Sequence, residues 1–257
     1  MRNGSTILPA TQAPEKVAAQ ALYRDVRRSL EAILSGIRRD IRGAIRSLGD
    51  PDLIRYELRW RIKRFGSVER KGRERAKPVS EILAKAEDLI GFRAVCSNLQ
   101  DVQRAAKVIA AALRLKHLDV RVHDYVSRPK FDGYRAVHLV VKVPLGPNAP
   151  VPQIGCEIQI RKLLQNAWAE QSRYDLYKPT GAENSRISVA MRRLSARLAE
   201  ADAKANQLRR DFARRIKGRR PLSSNRVQEP RPVGEKGWQW RKRARVFAKR
   251  FCCGAWR

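Results

Sequence analysis

Two acidic residues, Asp88 and Glu157, each stand at the threshold of a short apolar run, and cations gather around both. Asp88 opens Asp88-Leu89-Ile90-Gly91-Phe92-Arg93, and Glu157 opens Glu157-Ile158-Gln159-Ile160-Arg161. Strict alternation in the second run puts Glu157, Gln159 and Arg161 on one strand face and Ile158 and Ile160 on the other. Carboxylates on adjacent strands repel unless a cation lies between them, and Mg²⁺ commonly uses one or two carboxylates together with substrate phosphates. Taken singly, either acid reads as a solvated surface residue. Taken with their surroundings, the pair points to metal-assisted phosphoryl chemistry.

The surroundings begin upstream, in Leu58 to Lys71, where Arg61 and Lys63 recur at strand spacing and Ser67 and Lys71 follow on an expected helix. Cations on one strand face can hold successive phosphates, Arg as a planar fork and Lys as a compact point charge. A third stretch, Pro129-Lys130-Phe131-Asp132-Gly133-Tyr134-Arg135-Ala136-Val137-His138, combines a turn, an aromatic, a cation and an imidazole. Outside this pattern Tyr134 would be a half-buried strand aromatic, Gly133 a turn glycine and His138 a core histidine.

In order and spacing these motifs resemble the RelA/SpoT-type synthetase domain, with Asn166 and Trp168 following Arg161, over roughly residues 20 to 215. The resemblance implies a nucleotidyltransferase-like synthetase fold that transfers pyrophosphate from ATP to the 3′-hydroxyl of GDP or GTP, making the (p)ppGpp alarmone. It implies that Arg61, Lys63, Ser67, Lys71 and Arg93 bind ATP, with Arg61 and Arg93 flanking the adenine. Asp88 and Glu157 become the Mg²⁺ pair, Glu157 also orienting or deprotonating the attacking hydroxyl. Tyr134 would stack on the acceptor base, with Lys130, His138, Gln159 and Asn166 lining its pocket. One departure stands out. After Trp168-Ala169-Glu170 the family usually carries an acid followed by histidine, and this chain has Ser172-Arg173 before Tyr177-Lys178. The acceptor is therefore open between GDP or GTP and, as in toxin-like relatives, adenosine nucleotides or tRNA 3′ ends. A catalytically lapsed RNA-binding regulator is the alternative from another class.

Composition keeps polyanions in view. The 257 residues carry 56 Lys and Arg against 25 Asp and Glu, a formal charge of +31, which attracts nucleic acid by counterion release. Residues 1–19 read as a flexible N-terminus, 20–215 as the synthetase domain, and 216–257 as a basic, disordered tail ending in cations interleaved with Trp238, Trp240, Phe247 and Phe251. That interleaving suits RNA stacking or an anionic membrane surface. The resemblance leaves open a homo-oligomer of the kind small relatives form.

The elements that must position these residues follow from periodicity. Helices are expected over Pro14–Ser29, Leu30–Leu48, Asp101–Leu113, Leu163–Tyr174 and Ile187–Phe212. Strands are expected over Val120–Val126, Ala136–Val143 and Ile154–Ile160, giving an α+β fold with a mixed β-sheet flanked by helices. Cys96 and Cys156 read as core residues, and the four cysteines show no metal-ligand spacing. No run reaches membrane-spanning length and no signal region is evident, so the cytoplasm is the expected compartment.

Overall fold

The computed structural model describes residues 14–49, 57–175 and 182–218. Two units are distinguished, residues 1–210 and 211–257, and of the second only the helical residues up to Gly218 are described. The expected tail beyond Gly218, the N-terminal residues 1–13, the Asp50–Asp52 break and Tyr177-Lys178 lie outside the described residues.

The first helix, α1 (Pro14–Arg46), buries Tyr23, Val26, Leu30, Ile37, Ile41 and Ile45 along one stripe. Two helices were expected here, divided between Ser29 and Leu30. The stripe runs unbroken through Leu30, and no proline or glycine interrupts it at that point, so one helix forms. After it come β1 (Glu57–Ile62), α2 (Phe65–Arg75), α3 (Val79–Lys85), β2 (Ile90–Cys96), α4 (Leu99–Arg114), β3 (Asp119–Asp124), β4 (Val137–Pro144), β5 (Gln153–Lys162), α5 (Leu163–Asp175) and α6 (Ala182–Gly218).

Asn98 caps α4 by accepting from the Asp101 backbone N–H at 3.0 Å, which satisfies one of the orphan donors of the first turn. The helix then lays Val102, Ala105, Ala106, Ile109 and Leu113 into the core. β3 stops at Asp124 rather than Val126 because the Asp124 carboxylate turns back to accept from the Val126 and Ser127 N–H groups, at 2.9 and 3.1 Å. That is turn chemistry, and it ends the ladder. At the other end of the chain, α6 begins before Ile187 and continues past Phe212.

The five strands form one mixed sheet in the order β1-β2-β5-β4-β3. Only the central β2–β5 pair is parallel, and α4, β3 and β4 intervene in sequence between its strands. The other neighbours are antiparallel. Buried Phe92, Ala94, Leu139, Val141, Cys156, Ile158 and Ile160 turn to the core face. Register then fixes two cross-strand rows on the opposite face. One reads Arg61, Gly91, Glu157, Val140, Arg121, and the next reads Arg59, Arg93, Gln159, His138, His123. Cys96 and Cys156 are buried free thiols. Among the described residues no helix is long and apolar enough to cross a membrane.

Candidate active site

The polar face of the sheet assembles two linked clusters, one at each carboxylate. Asp88 lies just before β2 and accepts from the Lys63 ammonium at 2.6 Å, with the Lys71 ammonium 3.8 Å from its other oxygen. Lys63 follows the end of β1, and Lys71 projects from the second turn of α2, so strand and helix converge on one acid. Burial lowers the pKa of Lys63 against the opposing pull of Asp88. Ser67 stands in the first turn of α2, at the positive end of that helix. Arg61 lies over Gly91, where an added Cβ would meet its Nε at 3.4 Å, so the missing side chain opens room across the row toward Glu157.

Glu157 is held from two sides. His138 Nδ1 lies 2.8 Å from Oε1, and Gln159 Nε2 donates to Oε2 at 2.6 Å. Burial alone would raise this carboxyl, but His138, Gln159 and Lys130 outweigh it and hold the pKa at about 2. An ionised carboxylate only accepts, so the His138 Nδ1 proton faces it, and Nε2 lies 2.7 Å from the Tyr134 hydroxyl. Arg161 Nε in turn donates to that hydroxyl at 3.2 Å. A hydrogen-bonded chain therefore links Arg161, Tyr134, His138 and Glu157.

The loop before β4 presents Tyr134. Gly133 sits at φ +92°, a region open to glycine, and its N–H donates to the Lys130 carbonyl at 2.9 Å. Ser195 on α6 donates to the Gly133 carbonyl and anchors the turn. The Lys130 ammonium stands 4.6 Å above the Tyr125 ring and 5.3 Å above the Tyr134 ring, while Arg161 lies 5.2 Å from the latter. Tyr125, Tyr134 and His138 meet edge to face. The result is an aromatic and cationic recess beside Glu157.

A cavity of about 290 Å³ joins the two clusters, lined by Lys71, Arg75, Lys85, Glu87, Asp88 and Glu157 among others. Gly155 makes this closeness possible. A Cβ there would sit 2.0 Å from the Ala86 carbonyl oxygen and 2.6 Å from the Glu87 Cα, so the segment leading to Asp88 rests directly on the β5 backbone.

Two expected residues are held by contacts within the protein. Arg93 is 4 % exposed, and its guanidinium donates to Glu170 at 2.5 Å; burial and Arg161 lower its pKa to about 10 against the pull of Glu170. Asn166 accepts from Arg161 at 3.3 Å and so braces the recess through that arginine. Sequence reasoning gave no role to Arg161, Tyr125, Glu170, Arg75 or Lys85. Alternation with Glu157 and Gln159 marks Arg161, whereas the others carry no local signal.

Oxygen donors from Asp88 and Glu157 in a cleft lined by cations fit a hard cation completed by phosphate oxygens and water, the habit of Mg²⁺. Among the described residues no cluster of three or more His, Cys, Asp or Glu side chains forms an all-protein metal cage.

Comparison with known proteins agrees with this geometry. A model of the region found in RelA / SpoT proteins matches residues 60–181. GTP pyrophosphokinase YjbM of Bacillus subtilis (strain 168) is 30% identical over 165 residues, covering 62% of this chain and 77% of that protein. GTP pyrophosphokinase YwaC of the same organism is 30% identical over 123 residues, 46% of this chain and 56% of that protein. The crystal structure of small alarmone synthetase 1 from Bacillus subtilis bound to its product pppGpp is 27% identical, covers 75% of this chain and 95% of that one, and superposes with a TM-score of 0.57.

Proposed function

This chain belongs to the RelA/SpoT family, and from that membership we propose that it is a GTP pyrophosphokinase, transferring pyrophosphate from ATP to the 3′-hydroxyl of GDP or GTP. The observation that carries the reading is the shared cleft of Asp88 and Glu157, with Lys63 and Lys71 on the first acid and the Tyr134 recess beside the second.

The reaction forms a bond between the acceptor's 3′ oxygen and the β-phosphorus of ATP and breaks the bond from that phosphorus to the oxygen bridging to the α-phosphate, so AMP leaves. Such transfers depend on positioning and on cations aimed at developing charge. Asp88 and Glu157 would hold Mg²⁺, which when bound supplies charge neutralisation across the phosphates. With Asp88 committed to the ion, Lys63 and Lys71 would be free to hold the triphosphate together with Arg61 and Ser67. Arg75 and Lys85, on the cavity wall, add charge where the terminal phosphates must pass.

Glu157 orients the 3′-hydroxyl rather than drawing its proton early. A carboxylate held at about 2 is a weak base, so it accepts a hydrogen bond from the hydroxyl and takes the proton only as the new O–P bond makes that oxygen acidic. His138 and Gln159 fix the carboxylate's angle. Tyr134 offers its ring to the acceptor base, with Lys130 and Arg161 5.3 and 5.2 Å from its centroid. We assign Arg93 a bracing role through Glu170 in place of direct stacking on adenine. The reaction belongs in the cytoplasm, with its nucleotide substrates, and the basic tail offers an RNA contact.

Purified protein with Mg²⁺ and β-labelled ATP, offered GDP, GTP, ATP or deacylated tRNA separately, tests the reading, with Asp88→Ala as control. Label moving to a guanosine nucleotide supports it. Label confined to tRNA or an adenosine nucleotide assigns another acceptor, and no Asp88-dependent transfer overturns the reaction.

A further inference from the structure

The alternation of β5 that sends Arg161 to the reaction face sends Lys162 to the other side, and Arg135 likewise departs from its neighbour Tyr134. Behind the site, a second cavity of about 400 Å³ opens between the start of α4, the start of α5 and residues 199–210 of α6. Three residues of its lining carry four buried polar atoms without a hydrogen-bond partner among the described residues: Gln165 Nε2 and Oε1, Asn206 Oδ1 and Arg135 Nε. Gln165 is only 5 % exposed.

Buried polar groups are ordinarily satisfied, and leaving a donor or acceptor bare costs the full desolvation of that group. Both poles of one amide, a second amide oxygen and a guanidinium nitrogen unspent around one cavity are a recognition pattern awaiting its complement. Lys162 donates to Asp202 at 2.6 Å, and Arg135 gives one guanidinium N–H to the Val126 carbonyl at 3.1 Å, so the lining keeps a net positive charge from Arg135 and Arg210. The volume lies in the range of small-molecule sites.

We propose that this cavity is a second nucleotide site, separate from the reaction cleft, that takes a purine mononucleotide. A glutamine amide presents a donor and an acceptor side by side, which matches two adjacent groups on a purine edge. Val102 and Ala203 give apolar walls for a flat ring, and Arg135 with the exposed Arg210 at the rim supplies guanidinium forks for phosphate. The occupant would lie against Arg135 and Lys162, the chain neighbours of Tyr134 and Arg161, so its binding bears on the acceptor recess through two shared backbone segments.

The test is photolabelling of the full chain with 8-azidoadenosine and 8-azidoguanosine monophosphate, followed by peptide mapping. One or both probes label peptides containing residues 162–165 or 199–210. Gln165→Leu with Asn206→Leu lowers that labelling about tenfold, the scale of losing hydrogen bonds at a buried amide, while labelling of the 88–93 and 130–138 segments and pyrophosphate transfer without added mononucleotide persist. Leucine removes unsatisfied poles at similar volume, so the thermal midpoint of the free protein holds or rises. Label found only at the reaction cleft, label at the cavity that survives both substitutions, no label at all, or a double variant that loses its cooperative thermal transition each overturns the proposal.

Discussion

Gly155→Ala is the smallest change that should separate the two carboxylates. The new methyl would lie 2.0 Å from the Ala86 carbonyl oxygen, 2.6 Å from the Glu87 Cα and 2.9 Å from the Ala86 carbonyl carbon. All three are backbone atoms, so no side chain can swing away, and ordinary contact begins near 3.4 Å. The Ala86–Glu87 segment must retreat by about 1 Å or more, and Asp88, the next residue, moves with it. Overpacking of this size costs about 2 kcal/mol of stability, and an error of about 1 Å in a catalytic constellation costs about a hundredfold in turnover. Urea unfolding and steady-state pyrophosphate transfer measure the two effects. Gly146→Ala serves as control, because a Cβ there meets nothing within 4 Å. Wild-type turnover in Gly155→Ala refutes the positioning argument, whatever happens to stability.

Asp88→Ala and Glu157→Ala abolish transfer while far-ultraviolet circular dichroism keeps the native spectrum; measurable turnover in either variant removes that residue from the metal pair. Glu170→Ala removes a carboxylate that the buried Arg93 guanidinium donates to and that lies 3.5 Å from Arg161, at a cost of about 3 kcal/mol in urea unfolding. Glu157 has a folded pKa of about 2, below the unfolded carboxylate, so its contribution to stability is full above roughly pH 4.5 and is lost as pH falls toward 2. Glu157→Gln therefore flattens the stability profile across that window, and an unchanged profile contradicts the assignment. Removing residues 219–257 lowers RNA affinity at low salt more than it lowers turnover with free nucleotides, as read by filter binding and label transfer.

Much of the site was legible because strand alternation is a strict rule. Once Glu157, Gln159 and Arg161 share a face, a sheet register has to bring some row of neighbours beside them, and His138 and Arg61 carried the right chemistry at the right spacing. The mixed sheet and the helix types followed from the same periodicities. What escaped was non-local. Nothing around Gly155 announces that another segment's backbone will lie on it, and Glu170 shows no sign in sequence that its partner is Arg93, far upstream. Helix α1 forms as one element where two are expected, because its buried stripe continues through Val26, Leu30 and Ile37. β3 ended early through a side chain capping its own turn, a contact that propensity does not weigh.

The parallel pairing at the centre of the sheet governs when the enzyme can first act. Asp88 precedes β2 and Glu157 belongs to β5, and the chain must make α4, β3 and β4 before those two strands can meet. Local hairpins and helices can form as they leave the ribosome, but this long-range closure waits for the end of β5. Truncated or half-folded chains therefore lack the paired acids altogether. Activity reports a completed sheet, and unfinished copies stay inert.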